Sequence, residues 1–136
     1  MAECIFCEIR DNEKPSVKIF EDEKTIAIID IFPVARGHIL VIPKAHSDNL
    51  YDIEDADIAS IGITVARIAK TLKKVLKCDG VNVYQGNEAA AMQEIMHTHF
   101  HVIPRFFKDN IIFGAPREAL VRDEGLISEL QKVVNE

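Results

Sequence analysis

The 136-residue sequence lacks the features that mark several large classes of protein. It has three cysteines, an odd number that argues against a disulfide framework. The formal net charge is −6 and no basic run is present, which argues against a protein that binds the phosphate backbone of nucleic acid. No stretch approaches the roughly 18 apolar residues of a membrane span, and no basic segment followed by an apolar run opens the chain. We therefore expect a cytoplasmic protein with no membrane partner.

The apolar residues that are present predict an α+β fold. They make up 48% of the sequence, enough for the core of one domain, which we expect to span residues 1–136. A periodicity of three and four residues from Ile58 to Leu76 predicts a long amphipathic helix, with Asp52 or Asp55 as its N-cap. Shorter helices are expected at residues 4–10 and 124–134. Apolar or alternating segments that predict strands, with short links that favour antiparallel pairing, lie at 17–21, 25–30, 38–42, 81–85 and 94–105.

The most informative stretch of the sequence is residues 93–104, where His97, His99 and His101 occupy every second position. Alternation with period two is typical of a β-strand and places the three imidazoles on one face. Core packing does not explain such a row, because each ring carries two polar nitrogens that need partners. The row therefore predicts a functional site.

Two kinds of chemistry fit alternating histidines. A neutral imidazole whose second nitrogen is held as a donor can attack phosphorus, and a neighbouring imidazole can donate to the leaving oxygen. Gln93 could donate its amide hydrogens to phosphate oxygens, and the small residues at 86–91 would let backbone N–H groups approach an anion. These features favour phosphoryl or nucleotidyl transfer. The rival interpretation is a metal site, since a His-x-His pair on a strand is also good ligand geometry.

The segment His97-Thr98-His99-Phe100-His101-Val102 resembles the signature of the histidine triad (HIT) family. The resemblance extends over residues 3–106 and leaves 107–136 as a C-terminal tail and helix. It implies an α+β domain with a five-stranded antiparallel sheet, usually a homodimer, that binds purine nucleotides and cleaves them at the α-phosphorus through a nucleotidyl-histidine intermediate. The other segments that are similar to HIT positions, in the same order, are Ile5-Phe6-Cys7, residues 20–23, Asp30-Ile31, residues 37–44 and His46.

The resemblance implies a role for individual residues. His99 would be the nucleophile, His101 would contact phosphate and orient the reacting groups, and Gln93 would lie beside the scissile linkage. Asp30 would accept hydrogen bonds from the ribose hydroxyls, for which a carboxylate is chemically suited. An apolar wall around the base is implied at four residues that would otherwise be assigned to the core: Phe6, Ile9, Ile28 and Ile31.

The loop before Gln93 departs from the family pattern. Gly86 and Glu88 replace the amide side chain and the glycine that the family carries seven and five residues before that glutamine. Met92 replaces a second glycine, and Glu94 replaces a small hydroxyl residue. An acid near the phosphates would weaken anion binding or alter the leaving group that is accepted. We expect Asn87, or Gln85, to supply the missing amide to the nucleotide.

Cys4 and Cys7 form a C-x-x-C pair, which is a weak signal by itself. A redox motif would need a βα context that the sequence does not predict. Bacterial and archaeal HIT proteins that this chain resembles hold structural zinc, and the matching positions are Cys4, Cys7, His46 and His97. The alternative is a pair of free thiols. Zinc at this place would leave His99 and His101 free for chemistry, while His38, with no assigned partner, is interpreted as structural.

Three functional hypotheses remain open from the sequence. The leading one is a nucleotide hydrolase or transferase that acts on a dinucleoside polyphosphate or a nucleoside phosphoramidate. The altered loop favours a second, a nucleotide-binding or sensing module with little turnover. The third is a metalloenzyme that uses all three triad histidines as ligands.

Overall fold

A five-stranded antiparallel sheet organises the computed structural model, which describes residues 3–114 and 117–136. The strands run in the spatial order β1-β2-β3-β5-β4. This arrangement confirms the predicted α+β class and the five-stranded sheet. The elements along the chain are α1 (Ile5–Arg10), β1 (Lys18–Glu21), β2 (Thr25–Ile29), β3 (Ile39–Pro43), α2 (Asp55–Leu76), β4 (Gly80–Tyr84), a 3-10 turn (Ala89–Ala91), β5 (Phe100–Arg105) and α3 (Glu124–Val134).

The sheet is covered on both faces, which explains why its inner strands are apolar throughout. Every residue of β2 and β3 is buried, as expected for strands with packed layers on either side. One face packs against α2 and α3 through Ala27, Ile29, Ile39, Val41 and Val102. The opposite face packs against α1 through Ile26, Ile28, Leu40 and Ile42, which contact Phe6 and Ile9.

The helices follow the predicted periodicity, with one correction at a cap. In α2, Ile61, Ile68 and Leu72 are fully buried on the side that faces the sheet. The prediction that Asp52 or Asp55 caps this helix is wrong, because the N-cap is Glu54 and its side chain makes no capping hydrogen bond. α3 has the predicted bounds. None of the helices in the described part of the chain is long and apolar enough to cross a membrane.

The histidine strand is shorter than the sequence predicts. β5 begins at Phe100 rather than at residue 94, so that only His101 of the three alternating histidines lies within it. The preceding segment bonds to a loop instead of to a strand, since Thr98 N–H donates to the Ser47 carbonyl at 2.8 Å and the two hydroxyls lie 2.7 Å apart. His101 pairs with Leu40 of β3 and therefore faces the α1 side of the sheet.

Candidate functional site

The protonation of His99 follows from one hydrogen bond. Its Nδ1 lies 2.7 Å from the carbonyl oxygen of His97. A carbonyl oxygen only accepts, so Nδ1 must carry the hydrogen and donate it. In the neutral ring Nε2 is then bare, and its lone pair is available to attack an electrophile.

His101 has the opposite tautomer because of His38. The backbone N–H of Val34 donates to His38 Nδ1 at 3.1 Å, which leaves the hydrogen of the neutral His38 ring on Nε2. That Nε2 lies 2.9 Å from His101 Nδ1 and donates to it. His101 therefore carries its own hydrogen on Nε2 and can donate it. The rings of His99 and His101 are 5.0 Å apart between centroids, so a ring with a bare nitrogen and a ring with an N–H donor are neighbours.

The sequence did not identify His38 as part of this site. His38 is 1% exposed. The loop that follows β2 brings it back beside Asp30, and the Asp30 backbone N–H donates to the His38 carbonyl at 3.0 Å. Gly37 makes this return possible with a φ of +91°, a conformation that glycine adopts without strain. The interpretation of His38 as structural is incomplete, because the residue also contacts His101.

Asp30 lies at the end of the same chain of polar contacts. It is buried, with Oδ1 accepting the N–H of Phe32 at 2.8 Å. Its Oδ2 is 3.4 Å from His38 Nε2 and 3.7 Å from the guanidinium of Arg117. Arg117 comes from the segment that precedes α3, and nothing in the sequence pattern signals its return to the sheet.

Burial keeps these imidazoles neutral. Desolvation lowers the pKa of His38 from 6.5 to about 4 and that of His101 to about 3, and it also lowers the pKa of His99. The nearby charge of Asp30 opposes the shift at His38 without reversing it. At neutral pH the rings therefore hold the tautomers assigned above.

Cys4, Cys7, His46 and His97 form a second cluster, as expected for a metal site. Their ligand atoms all lie within 4.8 Å of one another. His97 Nδ1 is 3.2 Å from Cys4 Sγ, 3.6 Å from Cys7 Sγ and 3.1 Å from His46 Nδ1. Tetrahedral zinc with bonds of about 2.1–2.3 Å has ligand separations of about 3.3–3.8 Å, so the geometry is close to that of a zinc site.

Hydrogen bonding on the outer side of this cluster supports the same interpretation. His97 Nε2 donates to the Pro43 carbonyl at 2.8 Å, and His46 Nε2 donates to the carboxylate of Asp48 at 3.1 Å. Both neutral rings therefore direct a bare Nδ1 into the cluster, where two lone pairs face each other. A cation removes that repulsion, and a carboxylate that accepts from the outer nitrogen of a ligating histidine is typical of zinc sites. Without a cation, burial raises the pKa of Cys7 to about 11.

No metal-ligand cluster in residues 3–114 and 117–136 contains all three triad histidines. His97 faces the cysteines, and the Nδ1 of His99 is occupied by a carbonyl. A second group of Asp30, His38 and His101 has ligand atoms within 4.8 Å, but the histidine pair in it is joined by an N–H···N hydrogen bond. The geometry does not support the metalloenzyme hypothesis.

Gln93 and Asn87 use their amides inside the loop. Gln93 is 5% exposed, donates to the carbonyls of Asp48 and Ile95, and accepts the N–H of Glu88 at 2.7 Å. Asn87 accepts the N–H of Leu50 at 2.9 Å and exchanges two hydrogen bonds with Gln85, each of 2.8 Å. Contact between either amide and a phosphate stays a prediction, and it requires some of these hydrogen bonds to be exchanged.

At the two positions where the loop lacks a family glycine, its backbone still has a conformation that glycine favours. Glu88 has φ +73° and ψ 164°, a region that glycine alone adopts readily, and Met92 has φ +66°. Gly86 is needed for another reason, since a Cβ there would come within 2.3 Å of the Ala91 carbonyl oxygen. The loop thus keeps the backbone shape that glycines would favour, with side chains on it.

The four residues expected to line the base do not share one environment. Phe6, Ile9 and Ile28 are 3–6% exposed and form the core on the α1 side of the sheet, with the Phe6 ring 5.1 Å from that of His99. Ile31 is 57% exposed. Its neighbour Phe32 is also exposed, and no pattern in the sequence singles it out.

Comparisons of the sequence and of the structure with known proteins point to the same family. A HIT domain profile matches residues 11–108. The chain is 44% identical over 118 residues to the adenosine 5'-monophosphoramidase HNT1 of Saccharomyces cerevisiae, which covers 86% of this chain and 72% of the relative. It is 37% identical over 107 residues to the adenylylsulfatase HINT3 of Arabidopsis thaliana, covering 79% and 54%. A zinc-bound histidine triad family protein from Mycobacterium smegmatis superposes with a TM-score of 0.88 at 35% identity, covering 98% and 94%.

Proposed function

The chain belongs to the HIT family, and from this premise we propose that it is a nucleotide hydrolase or transferase. It cleaves a purine nucleotide conjugate at the α-phosphorus through a nucleotidyl-histidine intermediate. The observation that carries the proposal is the pairing of a bare His99 Nε2 with a protonated His101 Nε2 on neighbouring rings. Substrates of the class are dinucleoside polyphosphates and nucleoside phosphoramidates.

The first half of the reaction forms a bond from His99 to phosphorus. The Nε2 lone pair attacks the α-phosphorus, and the bond from phosphorus to the leaving oxygen or nitrogen breaks. His99 becomes positively charged in this step, and its Nδ1–H remains donated to the His97 carbonyl, which stabilises the cation. His101 donates a hydrogen bond from Nε2–H to the leaving group and stabilises the negative charge that develops on it, and the leaving group takes its proton from the solvent.

The second half restores the protein. Water attacks the α-phosphorus, the bond between phosphorus and His99 breaks, and a nucleoside monophosphate is released. The attacking water gives its proton to the solvent, and His101, which is kept in the required tautomer by the donated hydrogen of His38, keeps its Nε2–H as a donor. An alcohol or amine in place of water gives the transferase reaction.

The remaining predicted residues bind the nucleotide in this proposal. Asp30 accepts the ribose hydroxyls, and the exposed Ile31 lies at the surface next to it. Phe6, which contacts the His99 ring, forms the wall of the base site together with Ile9 and Ile28. Asn87, with Gln93, shapes the loop that faces the phosphates.

We also propose that Cys4, Cys7, His46 and His97 hold a structural zinc ion. The support is the separation of the four ligand atoms and the two inward-facing lone pairs. The ion would join α1 to the segment that carries His99, and it would take no part in the reaction.

The second candidate, a nucleotide-binding or sensing protein with little turnover, is favoured by the loop. Glu88 and Met92 hold strained backbone conformations, and the amide of Gln93 is engaged internally. The homodimer also stays a prediction. β4 lies at an edge of the sheet with Asn82 and Val83 exposed, which is a surface that a second copy would cover.

Release of AMP from adenosine 5'-phosphoramidate and from a dinucleoside polyphosphate tests the proposal. We expect the unaltered chain to release AMP and His99→Ala to lose at least about 10³-fold in rate, as removal of a nucleophile does. Nucleotide binding without turnover of either substrate would favour the sensing protein, and equal turnover by His99→Ala would overturn the mechanism.

A further inference from the structure

Described residues between β5 and α3, within 106–114 and 117–123, lie on the same side of the protein as the histidine site. Phe113 stacks on Tyr84 at 6.2 Å between ring centroids, and Tyr84 lies 5.0 Å from His101. Further along, Leu120 N–H donates to the Ile31 carbonyl at 2.7 Å. The family resemblance ends before this part of the chain, yet it brings new side chains to the site.

Arg117 is the charged residue that the segment delivers. Its guanidinium is 3.7 Å from Asp30 Oδ2, and its side chain is 28% exposed. A separation of 3.7 Å exceeds the length of a hydrogen bond, so the ion pair is loose. A guanidinium offers five N–H donors in a planar fork, which suits the oxygens of a phosphate.

The loop before the histidines offers little positive charge to an anionic ligand. Glu88 and Glu94 are exposed acids, and the charge of Glu94 acts on the His99 ring. Both hydrogens of the Gln93 amide are donated to backbone carbonyls. A nucleotide phosphate therefore needs a cation from elsewhere, and Arg117 lies beside the carboxylate assigned to the ribose.

We propose that Arg117 binds the phosphoryl oxygens of the nucleotide, exchanging its loose ion pair with Asp30 for the ligand. The exchange serves both ends of a nucleotide at once. The phosphate gains a bidentate donor, and Asp30 Oδ2 is released for the ribose hydroxyls. This inference rests on the proposed function, and it assigns substrate binding to a segment outside the region of HIT resemblance.

Equilibrium binding of AMP and of adenosine to the full chain separates a phosphate contact from a ribose contact. We expect Arg117→Ala to weaken AMP binding about tenfold or more, as loss of a charge-assisted hydrogen bond does. Adenosine binding should stay the same or become tighter, because the competitor for Asp30 is gone. Arg117→Lys should recover part of the AMP affinity. Arg122→Ala is the matched control, since Arg122 lies in the same segment and pairs with Glu124 at 2.7 Å.

Two results would overturn the inference. Equal weakening of AMP and adenosine would mean that Arg117 acts only through the position of Asp30, and unchanged AMP affinity would mean that it binds no phosphate. Thermal unfolding of each variant checks that the fold is intact. The binding measurement needs no turnover. If the chain hydrolyses neither substrate but its AMP binding depends on Arg117, the result counts against the proposed reaction and not against this inference.

Discussion

The Nε2 atom of His38 lies 2.9 Å from the Nδ1 atom of His101 and donates its hydrogen to it. The Val34 N–H fixes the other side of the His38 ring, so the direction of this hydrogen bond is determined by the backbone. The result is an N–H on Nε2 of His101. A buried residue thereby sets the tautomer of the histidine that we propose contacts the substrate.

Replacing His38 tests this relationship. In His38→Phe the ring of His101 loses its donor and is free to adopt either tautomer. We expect kcat to fall on the order of 10²-fold, within the range for loss of one hydrogen-bond donor to a developing negative charge, while AMP affinity changes little. The effect should shrink for a substrate with a good leaving group, on which less charge must be stabilised. An equal loss for good and poor leaving groups would show that His38 acts through the fold instead.

Acid should destabilise the protein because His38 and His101 are buried as neutral rings. Their pKa values are lowered from 6.5 to about 4 and about 3, so the unfolded state binds more protons below pH 6.5. Their contribution is fully present above pH 6.5 and is lost as the pH falls toward these folded-state values. Each ring gives a slope of about 1.4 kcal/mol per pH unit in that window.

Urea unfolding between pH 7.5 and 5 measures this slope. The asparagine in His38→Asn keeps polar atoms at this position and does not titrate. The slope of the unfolding free energy against pH should therefore fall by the contribution of about one bound proton. A variant with the same slope as the parent chain would show that His38 is not responsible for it.

Loss of a cysteine should release the predicted zinc without removing the nucleophile. We expect one zinc per chain in the unaltered protein and none in Cys4→Ser or Cys7→Ser, measured by elemental analysis. The melting temperature should fall in both variants, because α1 is no longer joined to the His97 segment. Cys78→Ala, at a buried cysteine outside the cluster, should keep its zinc. Zinc retained by both serine variants would refute the site.

The loop should become more stable when glycine is restored at its strained positions. In Glu88→Gly and Met92→Gly, glycine holds the positive φ in place of a residue with a side chain. Each change is expected to stabilise the chain by about 1 kcal/mol. Ala90→Gly is the control, because Ala90 has no positive φ and glycine there should destabilise. We also expect Glu88→Gly to strengthen AMP binding, because it removes an acid from the loop that we propose faces the phosphates.

The sequence predicted the elements well where a period extends over many residues. α2 repeats its apolar residues over 22 positions, and the central strand is an unbroken apolar run, so neither needed information from elsewhere in the chain. The alternation of His97, His99 and His101 was read as one long strand, but a loop holds the first two through Ser47 and Thr98. An alternating pattern identifies side chains that share a face. It does not show whether the backbone of those residues bonds to a strand or to a loop.

The site was predictable where residues of one motif act together, and it was missed where distant segments meet. The proximity of His99 to His101 and of Cys4 to its cluster was expected, because spacing or resemblance singled these residues out. His38 is a lone histidine next to a buried strand, a pattern that gives no sign of its contact with His101. Arg117 is brought to Asp30 by the path of an irregular segment, for which no residue pattern exists.

The central claim is that His99 forms a covalent bond to the α-phosphorus, and the most direct measurement is to trap that bond. The unaltered chain would be mixed with adenosine 5'-phosphoramidate, quenched in alkali within one turnover, and its peptides analysed by mass spectrometry. We predict an adenylyl group on the peptide that contains residues 97–101, located on His99, and no adduct in His99→Ala. An adduct on another residue, or AMP release by His99→Ala at the rate of the unaltered chain, would contradict the account.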